Sequence, residues 1–431
     1  MFSQAQSART AALLVQSSVA SQLFVSHFSG SIYSLTYESS NNVNGSLSID
    51  YSTTGCGNMP TWLDSESDVL YCFDESYGAG VVSSFDIKNS SLEARGQADT
   101  QGNDVHGCLY GGPNGSSFMA TAQYSSSSII TYKLPLTPNT EALQQLSFTM
   151  TGEGTDPSRQ DAPHPHSTFT DPTGKYMIVP DLGADLVRIF AIDASTGNLK
   201  ACTPGEAGAG DGPRHGAWWS PNANSTEGLM LYTVNKLSNS VSAWSVSYPA
   251  SGDGCLSLEK TQTVPTVDSS SSSSSSLAVK AAEVHIRDNF LYAANRNDQT
   301  FGLHQDSLVT YNISSNGVLD FVEATNAHAW YPRTFSISEA GDLVAVGGQT
   351  SSNVAIIERN NTTGRLGGLL ASIDIATPGQ AGQEDGLSAI AMKTDCQQSS
   401  WQNQNIWRKP EGLLAQEWHF KLLPMEISRR L

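Results

Sequence analysis

The 431-residue chain has no long apolar run and is poor in basic residues. No segment approaches the 18 or so apolar residues that a membrane-spanning helix needs, so no such helix is expected. Lysine and arginine together number 23 against 41 acidic residues, which gives a formal net charge of -18. Nucleic acids and anionic membrane surfaces both require a basic face, so neither is predicted as a partner. An anionic ligand would need a local cluster of Arg, Lys and His, shielded from the acidic exterior.

Several common catalytic motifs are also absent. No glycine-rich phosphate loop follows a strand and opens a helix, and no Gly-x-Ser-x-Gly segment has a strand-turn-helix context. His164, His166 and His215 suggest a metal site, but the carboxylates at ligand spacing are limited to Glu283 and Asp181. Neither a metal nor another cofactor is therefore predicted.

Seven copies of one pattern fill most of the chain. Each copy is a short apolar strand, a small turn and a second apolar strand, and the copies begin roughly 46 to 60 residues apart. This spacing is typical of a propeller with four-stranded blades. The prediction is an all-β fold, a seven-bladed β-propeller of antiparallel blades. The copies span residues 23–37, 69–87, 117–134, 175–193, 229–247, 289–313 and 342–360.

The ends of the repeat array predict how the ring closes. The first copy has no innermost strand before it, while 386–392 follows the last copy as an unpaired strand, so the two are expected to complete one blade. The predicted boundaries are an N-terminal segment (1–22), the propeller (23–393) and an atypical tail (394–431). The serine run at 269–276 is predicted to be a flexible insertion without chemistry. The tryptophan-rich and basic tail is open to two interpretations, a partner-binding or tethering segment, or a stretch that is not part of the native product.

The cysteines and the N-glycosylation sequons indicate in which cellular compartment the protein is located. Cys56 and Cys72, and Cys202 and Cys255, lie at hairpin-like separations, whereas Cys108 and Cys396 have no obvious partner. The first 22 residues resemble a signal peptide poorly, because their apolar run is short. We expect an extracellular protein, with the cytoplasm as the alternative. The sequons are at Asn44, Asn89, Asn114, Asn224, Asn312, Asn360 and Asn361.

Equivalent positions of the hairpins predict a polar channel. Polar side chains dominate two positions at the hairpin turn, although an unpaired polar group between packed blades would cost several kcal/mol. We therefore expect them to face a wet cavity. We call the first of these positions the slot, and we assign it to His27, Glu75, Tyr124, Leu182, Lys236, Arg296 and Gln349. The neighbouring position is assigned to Ser26, Asp74, Gln123, Asp181, Asn235, Asn295 and Gly348.

The segments before the hairpins predict a second layer of site residues. We align His166 with His215 and Glu283, and place Arg214 and Arg333 one residue earlier. The predicted result is a cationic mouth that suits a carboxylate or phosphate, because guanidinium groups bind both through two hydrogen bonds. His166 is the candidate proton shuttle, since imidazole titrates near neutrality. The structural alternative is that these histidines cap backbone groups and that the arginines bridge blades through carbonyls.

Several segments resemble one known family. The runs DAPHPHSTFTDPTG, GPRHGAWW, VNKL, AANRND and YPRTF are similar, in order, to motifs of the seven-bladed lactonase family, which includes 6-phosphogluconolactonase and the 3-carboxy-cis,cis-muconate lactonizing enzyme. The resemblance covers about residues 23–392 and is closest to secreted fungal members. It implies a site at the channel mouth with His166, Arg214 and Arg296. The glutamate of the family's VNEL motif is Lys236 here.

The resemblance implies a lactonase or a carboxymuconate-type cycloisomerase that acts on a small anionic molecule. The alternative is a non-catalytic propeller that binds an acidic ligand or protein, because Lys236 replaces the glutamate. The predicted catalytic residues are His166, Lys236 and Arg296. The predicted substrate-binding residues are Arg214, His215, Glu283, Arg333 and Asn295.

Overall fold

In a computed structural model, the chain forms a ring of seven antiparallel sheets, which confirms the predicted propeller. The structure describes residues 20–392 except 40–44, 223–224, 251–253 and 268–277. The serine run, the predicted tail and residues 1–19 lie outside the described residues. The first strand begins at Ala20, three residues before the predicted start of the propeller. No helix long and apolar enough to cross a bilayer occurs in the described part of the chain.

The first four blades follow one another along the chain. The first blade receives β1 (Ala20–His27), β2 (Ser31–Glu38) and β3 (Ser46–Thr54). The second contains β4 (Pro60–Glu66), β5 (Val69–Asp74), β6 (Gly80–Lys88) and β7 (Ser91–Thr100). The third contains β8 (Asp104–Tyr110), β9 (Phe118–Gln123), β10 (Ser128–Lys133) and β11 (Ala142–Ser147). The fourth contains β12 (Phe169–Thr170), β13 (Tyr176–Asp181), β14 (Leu186–Ile192) and β15 (Leu199–Ala201), and β16 (Gly205–Glu206) also pairs with β14.

The remaining blades repeat the same order. The fifth contains β17 (Pro213–Trp219), β18 (Met230–Asn235), β19 (Ser240–Ser247) and β20 (Ser257–Pro265). The sixth contains β21 (Lys280–Arg287), β22 (Phe290–Arg296), β23 (Ser307–Ile313) and β24 (Leu319–Asn326). The seventh contains β25 (Pro332–Ile337), β26 (Leu343–Gly348), β27 (Asn353–Arg359) and β28 (Leu366–Asp374), and β29 (Leu387–Met392) ends the described chain.

The last strand closes the ring as predicted. β29 pairs antiparallel with β1, so that Ala391 lies opposite Phe24 and Ile390 opposite Val25. β29 also contacts β25 and β4, the first strands of the seventh and second blades. It is therefore the innermost strand of the first blade, and both ends of the propeller are held in one sheet.

The core is divided among the blade interfaces. Seven buried apolar clusters occur in the described residues, one between each pair of neighbouring blades. In one of them, Val234 and Val241 of the fifth blade pack with Val284 and Leu291 of the sixth. Each blade is thus buried on both faces, which explains why the first strand of a hairpin, such as β5 or β26, reads as a nearly continuous apolar run.

Tyrosine hydroxyls link successive blades through glycine turns. Tyr232 donates to the carbonyl of Gly317 at 2.8 Å, and Tyr292 donates to that of Gly364 at 2.6 Å. Gly317 has a φ of +81°, and a Cβ there would lie 2.7 Å from Cγ of Met230. Only glycine combines this backbone conformation with so close an approach.

Removal of β29 should unfold the propeller. A chain that ends at Asp385 loses Leu387, Ile390 and Met392, which are buried, and each large-to-small change at such sites costs about 2–5 kcal/mol. The total is comparable to the whole stability of a typical domain, about 5–15 kcal/mol. We expect no cooperative thermal transition by circular dichroism, whereas a control chain that ends at Lys393 should retain one. A chain ending at Asp385 that melts no earlier than the control would contradict this closure.

Candidate active site at the channel mouth

A β-bulge at the start of each innermost strand aims side chains at the channel. In β17 the register shifts by one residue between Pro213 and His215, and in β25 it shifts between Pro332 and Thr334. Proline fits here because the first residue of an edge strand needs no ladder hydrogen bond. A bulge sets two residues against one, and in the fifth blade it brings His215 into contact with His166 of the fourth blade and Trp62 of the second. The first bulge position holds Thr61, Val105, His166, Arg214, Ala282, Arg333 and Ser388, and the second holds Trp62, His106, Ser167, His215, Glu283, Thr334 and Ala389.

The bulge corrects the alignment expected from sequence. Pro165 pairs with Asp181 as Pro213 pairs with Asn235, so His166 is equivalent to Arg214 and not to His215. The predicted alignment of His166 with His215 and Glu283 was wrong by one residue. The innermost segment of the fourth blade is regular only over Phe169–Thr170, and this irregularity hides the register in the sequence.

The slot is confirmed in six blades. The backbone N–H groups of Glu75, Tyr124 and Lys236 each donate to the carbonyl just before the innermost strand of their own blade, those of Met59, Asn103 and Gly212. In the first blade the equivalent donor is Phe28, which bonds to Gly386, so the assignment of His27 was wrong by one residue. β1 continues through His27 before it turns. Ring nitrogens of His27 lie within hydrogen-bond distance of the hydroxyls of Ser29 and Ser352 and of the carbonyl of Thr377, which assigns it a structural role.

Two cations of neighbouring blades stand side by side in the slot. Lys236 is 8% exposed, and its ammonium group has no ion pair or hydrogen-bond acceptor among the described residues. Arg296 donates to the carbonyls of Lys280 and Ala281 at 3.3 and 3.1 Å and lies over the ring of Tyr331. Burial, followed by the charges of neighbouring arginines and Lys280, lowers the pKa of Lys236 well below its usual range. Burial lowers the pKa of Arg296 to about 10, so its guanidinium stays charged at neutral pH.

The third predicted cation of the mouth is neutralised. Arg333 of the seventh blade reaches Glu75 of the second, with Nη2 2.7 Å from Oε2, and also donates to the hydroxyl of Thr61 at 3.1 Å. The guanidinium lies over the ring of Phe28. Burial raises the pKa of Glu75, and the charge of Arg333 opposes this shift. The ion pair therefore holds blades two and seven together across the mouth.

Imidazoles and a tryptophan meet on the axis beneath the cations. The ring centroids of His166 and His215 are 5.4 Å apart, and those of Trp62 and His215 are 5.5 Å apart. Trp62 belongs to the second blade and His215 to the fifth, so residues of blades that are not neighbours touch. His215 Nδ1 lies 2.8 Å from Oε1 of Glu283. The site is thus a buried, polar centre within the ring.

The predicted residue Asn295 has a different environment. Its amide nitrogen donates to the carbonyl of Thr266 and to the hydroxyl of Ser307. These bonds stabilise the sixth blade. No group of three or more His, Cys, Asp or Glu side chains that could hold a metal ion is present in the described portion.

An outer cavity of about 570 Å³ lies beside the mouth. It is lined by Met59, Tyr77, Gln380, Gly382, Gln383, Glu384 and Asp385. The Met59 carbonyl accepts the Glu75 N–H, and the Gln383 carbonyl accepts from Gln349 at 2.8 Å, so this cavity adjoins the slot.

Known proteins share this architecture. Residues 22–381 match the sequence model of the family described as Lactonase, 7-bladed beta-propeller. The chain belongs to the seven-bladed lactonase family. A protein of Arthroderma benhamiae named probable 6-phosphogluconolactonase is 30% identical over 315 residues, which are 71% of this chain and 75% of that protein. The 6-phosphogluconolactonase of Bacillus subtilis is 24% identical over 329 residues, 74% of this chain and 85% of that protein.

A solved structure agrees with this membership. The periplasmic gluconolactonase of Pseudomonas aeruginosa superposes with a TM-score of 0.70 at 21% identity, covering 87% of this chain and 99% of that one. At this level of identity, the likeness shows the fold alone.

This lactonase-family chain draws its carboxylates from unexpected blades. The glutamate of the family motif is replaced by Lys236, and the carboxylates at the mouth are Glu75, which was predicted in the slot, and Glu283, which was predicted to bind substrate. Sequence reasoning gave Glu75 no catalytic or binding role and missed Trp62 and His106. Trp62 could have been found, because Pro60-Thr61-Trp62 repeats the register of Pro213-Arg214-His215.

The buried imidazoles should make stability depend on pH in a defined direction. Burial, then the charges of Arg214 and Lys236, lower the pKa of His166 well below its usual value. Below about pH 6.5 the unfolded chain binds a proton at this residue and the folded chain does not, so stability falls as the pH falls. His166→Asn should therefore reduce the slope of unfolding free energy against pH by about 1.4 kcal/mol per pH unit between about pH 6.5 and 5, measured by urea unfolding. An equal slope in His166→Asn and wild type would show that His166 is not held neutral.

Proposed function

We propose that the chain hydrolyses the lactone of an anionic sugar acid at the channel mouth. The observation that carries this proposal is the buried side chain of Lys236, which forms no ion pair with a carboxylate of the described residues and occupies the slot in the blade next to that of Arg296. Burial of an unpaired cation destabilises the folded protein, and binding of an anion next to it offsets this unfavourable free energy. The names of two relatives, probable 6-phosphogluconolactonase and 6-phosphogluconolactonase, support a sugar-acid lactone.

Lys236 and Arg296 suit the anionic group of the substrate. They occupy the same slot in the fifth and sixth blades, so one carboxylate or phosphate can contact both. Binding of the anion would raise the lowered pKa of Lys236 and favour protonation of its amino group. The acidic exterior does not prevent this, because the two cations lie within the ring, away from bulk solvent.

The deeper layer suits the reacting ester. Nε of Arg214 is buried and has no hydrogen-bond partner in the described structure, and Nη1 donates to the carbonyl of Ala282 at 2.5 Å. A guanidinium held in this way can stabilise the oxyanion that forms when water adds to the lactone carbonyl. His166, equivalent to Arg214 in the neighbouring blade, transfers the proton. The same cations would bind a carboxymuconate, but the relatives named above are lactonases, and this favours hydrolysis over cycloisomerisation.

Removal of the Lys236 charge should act selectively on anionic lactones. Lys236→Met should lower kcat/KM for a phosphorylated or carboxylated sugar lactone about 100-fold, because a desolvated charge pair contributes about 2–5 kcal/mol. A neutral lactone of the same ring size should lose less than about threefold. The measurement is initial-rate hydrolysis, with Lys88→Met, a surface lysine paired with Asp86, as the control. Equal losses for both substrates would contradict anion binding by Lys236.

The same assay separates an enzyme from a binding module. Turnover by the wild type that is lost in His166→Ala supports hydrolysis. Ligand binding without turnover in the wild type and in every variant would instead identify a non-catalytic propeller.

We further propose that the protein is secreted. Two disulfides, Cys56–Cys72 and Cys202–Cys255, are formed, and disulfides persist in oxidising compartments. Cys108 is a buried free thiol. Among the described sequons, Asn89, Asn114, Asn360 and Asn361 are exposed.

Glycan analysis tests this location. Protein isolated from the native source should lose mass on treatment with an N-glycosidase, and the deamidated Asn should map to one or more of the exposed sequons. Native protein with unmodified sequons and reduced cysteines would contradict secretion.

A further inference from the structure

His166 and His215 both present an unused ring nitrogen inside the channel. Each is at most 3% exposed, and neither His166 Nδ1 nor His215 Nε2 has a hydrogen-bond partner among the described residues. A buried polar nitrogen without a partner costs about 1–3 kcal/mol, so such atoms mark positions where a ligand or reacting group binds. The two rings are in contact at a centroid distance of 5.4 Å.

Glu283 fixes the orientation and the tautomer of His215. Its Oε1 lies 2.8 Å from His215 Nδ1 and also accepts the N–H of Val284 at 3.2 Å. Arg214 Nη1 lies 3.3 Å from the same ring nitrogen, but it donates at 2.5 Å to the carbonyl of Ala282. The carboxylate is therefore the partner of Nδ1–H, and the lone pair of the neutral ring is on Nε2. This is the arrangement of a base oriented by a carboxylate.

The charges around the two imidazoles differ. The charges of Arg214, Lys236, His215 and Arg333 act on His166, and it forms no ion pair or hydrogen bond with a carboxylate of the described residues. His215 is influenced by Arg214, Arg333, Arg296, His106 and His285, but Glu283 touches it directly. Burial keeps both rings neutral, and their pKa values are lowered. When a proton arrives, only the His215 imidazolium has an adjacent negative charge to stabilise it.

We propose that His215, oriented by Glu283, is the base that activates the hydrolytic water, and that His166 relays the proton. This inference rests on the proposed lactone hydrolysis. The water oxygen forms a bond to the lactone carbonyl carbon while one water proton passes to His215 Nε2. As the bond from the carbonyl carbon to the ring oxygen breaks, a water molecule between the two rings carries that proton from His215 Nε2 to His166 Nδ1, and His166 releases its own Nε2 proton to the departing oxygen. The product is the ring-opened hydroxy acid; both imidazoles are neutral again, and His166 regains its starting tautomer by proton exchange with water.

The test compares variants at both members of the pair. His215→Gln should lower kcat at least about 100-fold, the usual contribution of a positioned general base. Glu283→Gln should lower kcat to a similar or greater extent and also move the acidic limb of the kcat–pH profile to lower pH, because the imidazolium loses its counter-charge. A purely structural role of Glu283 would leave the position of that limb unchanged. The control is His27→Asn. His27 is a buried histidine of the same propeller, and both of its ring nitrogens are within hydrogen-bond distance of hydroxyl groups, so this substitution should affect stability alone.

A second measurement does not depend on the variants folding. Nitrogen-15 chemical shifts of the wild type should show His215 protonated on Nδ1 and unprotonated on Nε2. The opposite tautomer, or His215→Gln with kcat within about threefold of wild type, would overturn the proposal while the lactonase function stands. If the wild type hydrolyses no lactone at all, the proposed function fails, and this proposal fails with it.

Discussion

The β-bulge at the mouth of each blade is the feature on which the site depends. Without it, successive side chains of an innermost strand would alternate between the two blade interfaces, and at most one in two could approach the axis. With it, the consecutive residues Arg214 and His215 both reach the buried centre, where His215 contacts His166 of the fourth blade and Trp62 of the second. Proline at the preceding residue in four blades, such as Pro213 and Pro332, is compatible with the bulge and removes a donor that would have no acceptor. The ring closure by β29 then sets the distances between these residues.

The charged residues of the mouth lie at successive levels along the channel. Outermost, Lys236 and Arg296 occupy the slot in neighbouring blades and form no ion pair with a carboxylate of the described residues, which is the basis of the proposed anion site. In the same layer, Arg333 and Glu75 form a pair across the ring that stabilises its geometry and adds no net charge. Below them Glu283 lies against His215, which separates the group that accepts a proton from the groups that bind the anion. A chain of net charge -18 thereby keeps a positive centre where only a ligand inside the ring can reach it.

The fold was predictable because each blade is buried on both faces and therefore needs apolar strands, and these strands recur along the sequence at a regular spacing. The slot was predictable for the same reason, since its residues end regular strands such as β18 and β22. The bulged layer was not, because a bulge inserts one residue without changing the composition of the strand. His166 was consequently aligned with His215 and not with Arg214, and the slot position of the first blade was assigned to His27 and not to Phe28. The pairing of Arg333 with Glu75 spans three blades and no sequence pattern indicates it.

The central claim is that the mouth of this propeller binds an anionic lactone with its charged group on Lys236 and Arg296. A crystal structure of the protein with the ring-opened product acid tests it most directly. The account predicts the phosphate or carboxylate already present in the lactone within about 3 Å of Lys236 Nζ and of the Arg296 guanidinium, with the newly formed carboxylate pointing inward to Arg214 and His166. Density for the product only in the outer cavity lined by Tyr77 and Glu384, or none at saturating product, would contradict the account.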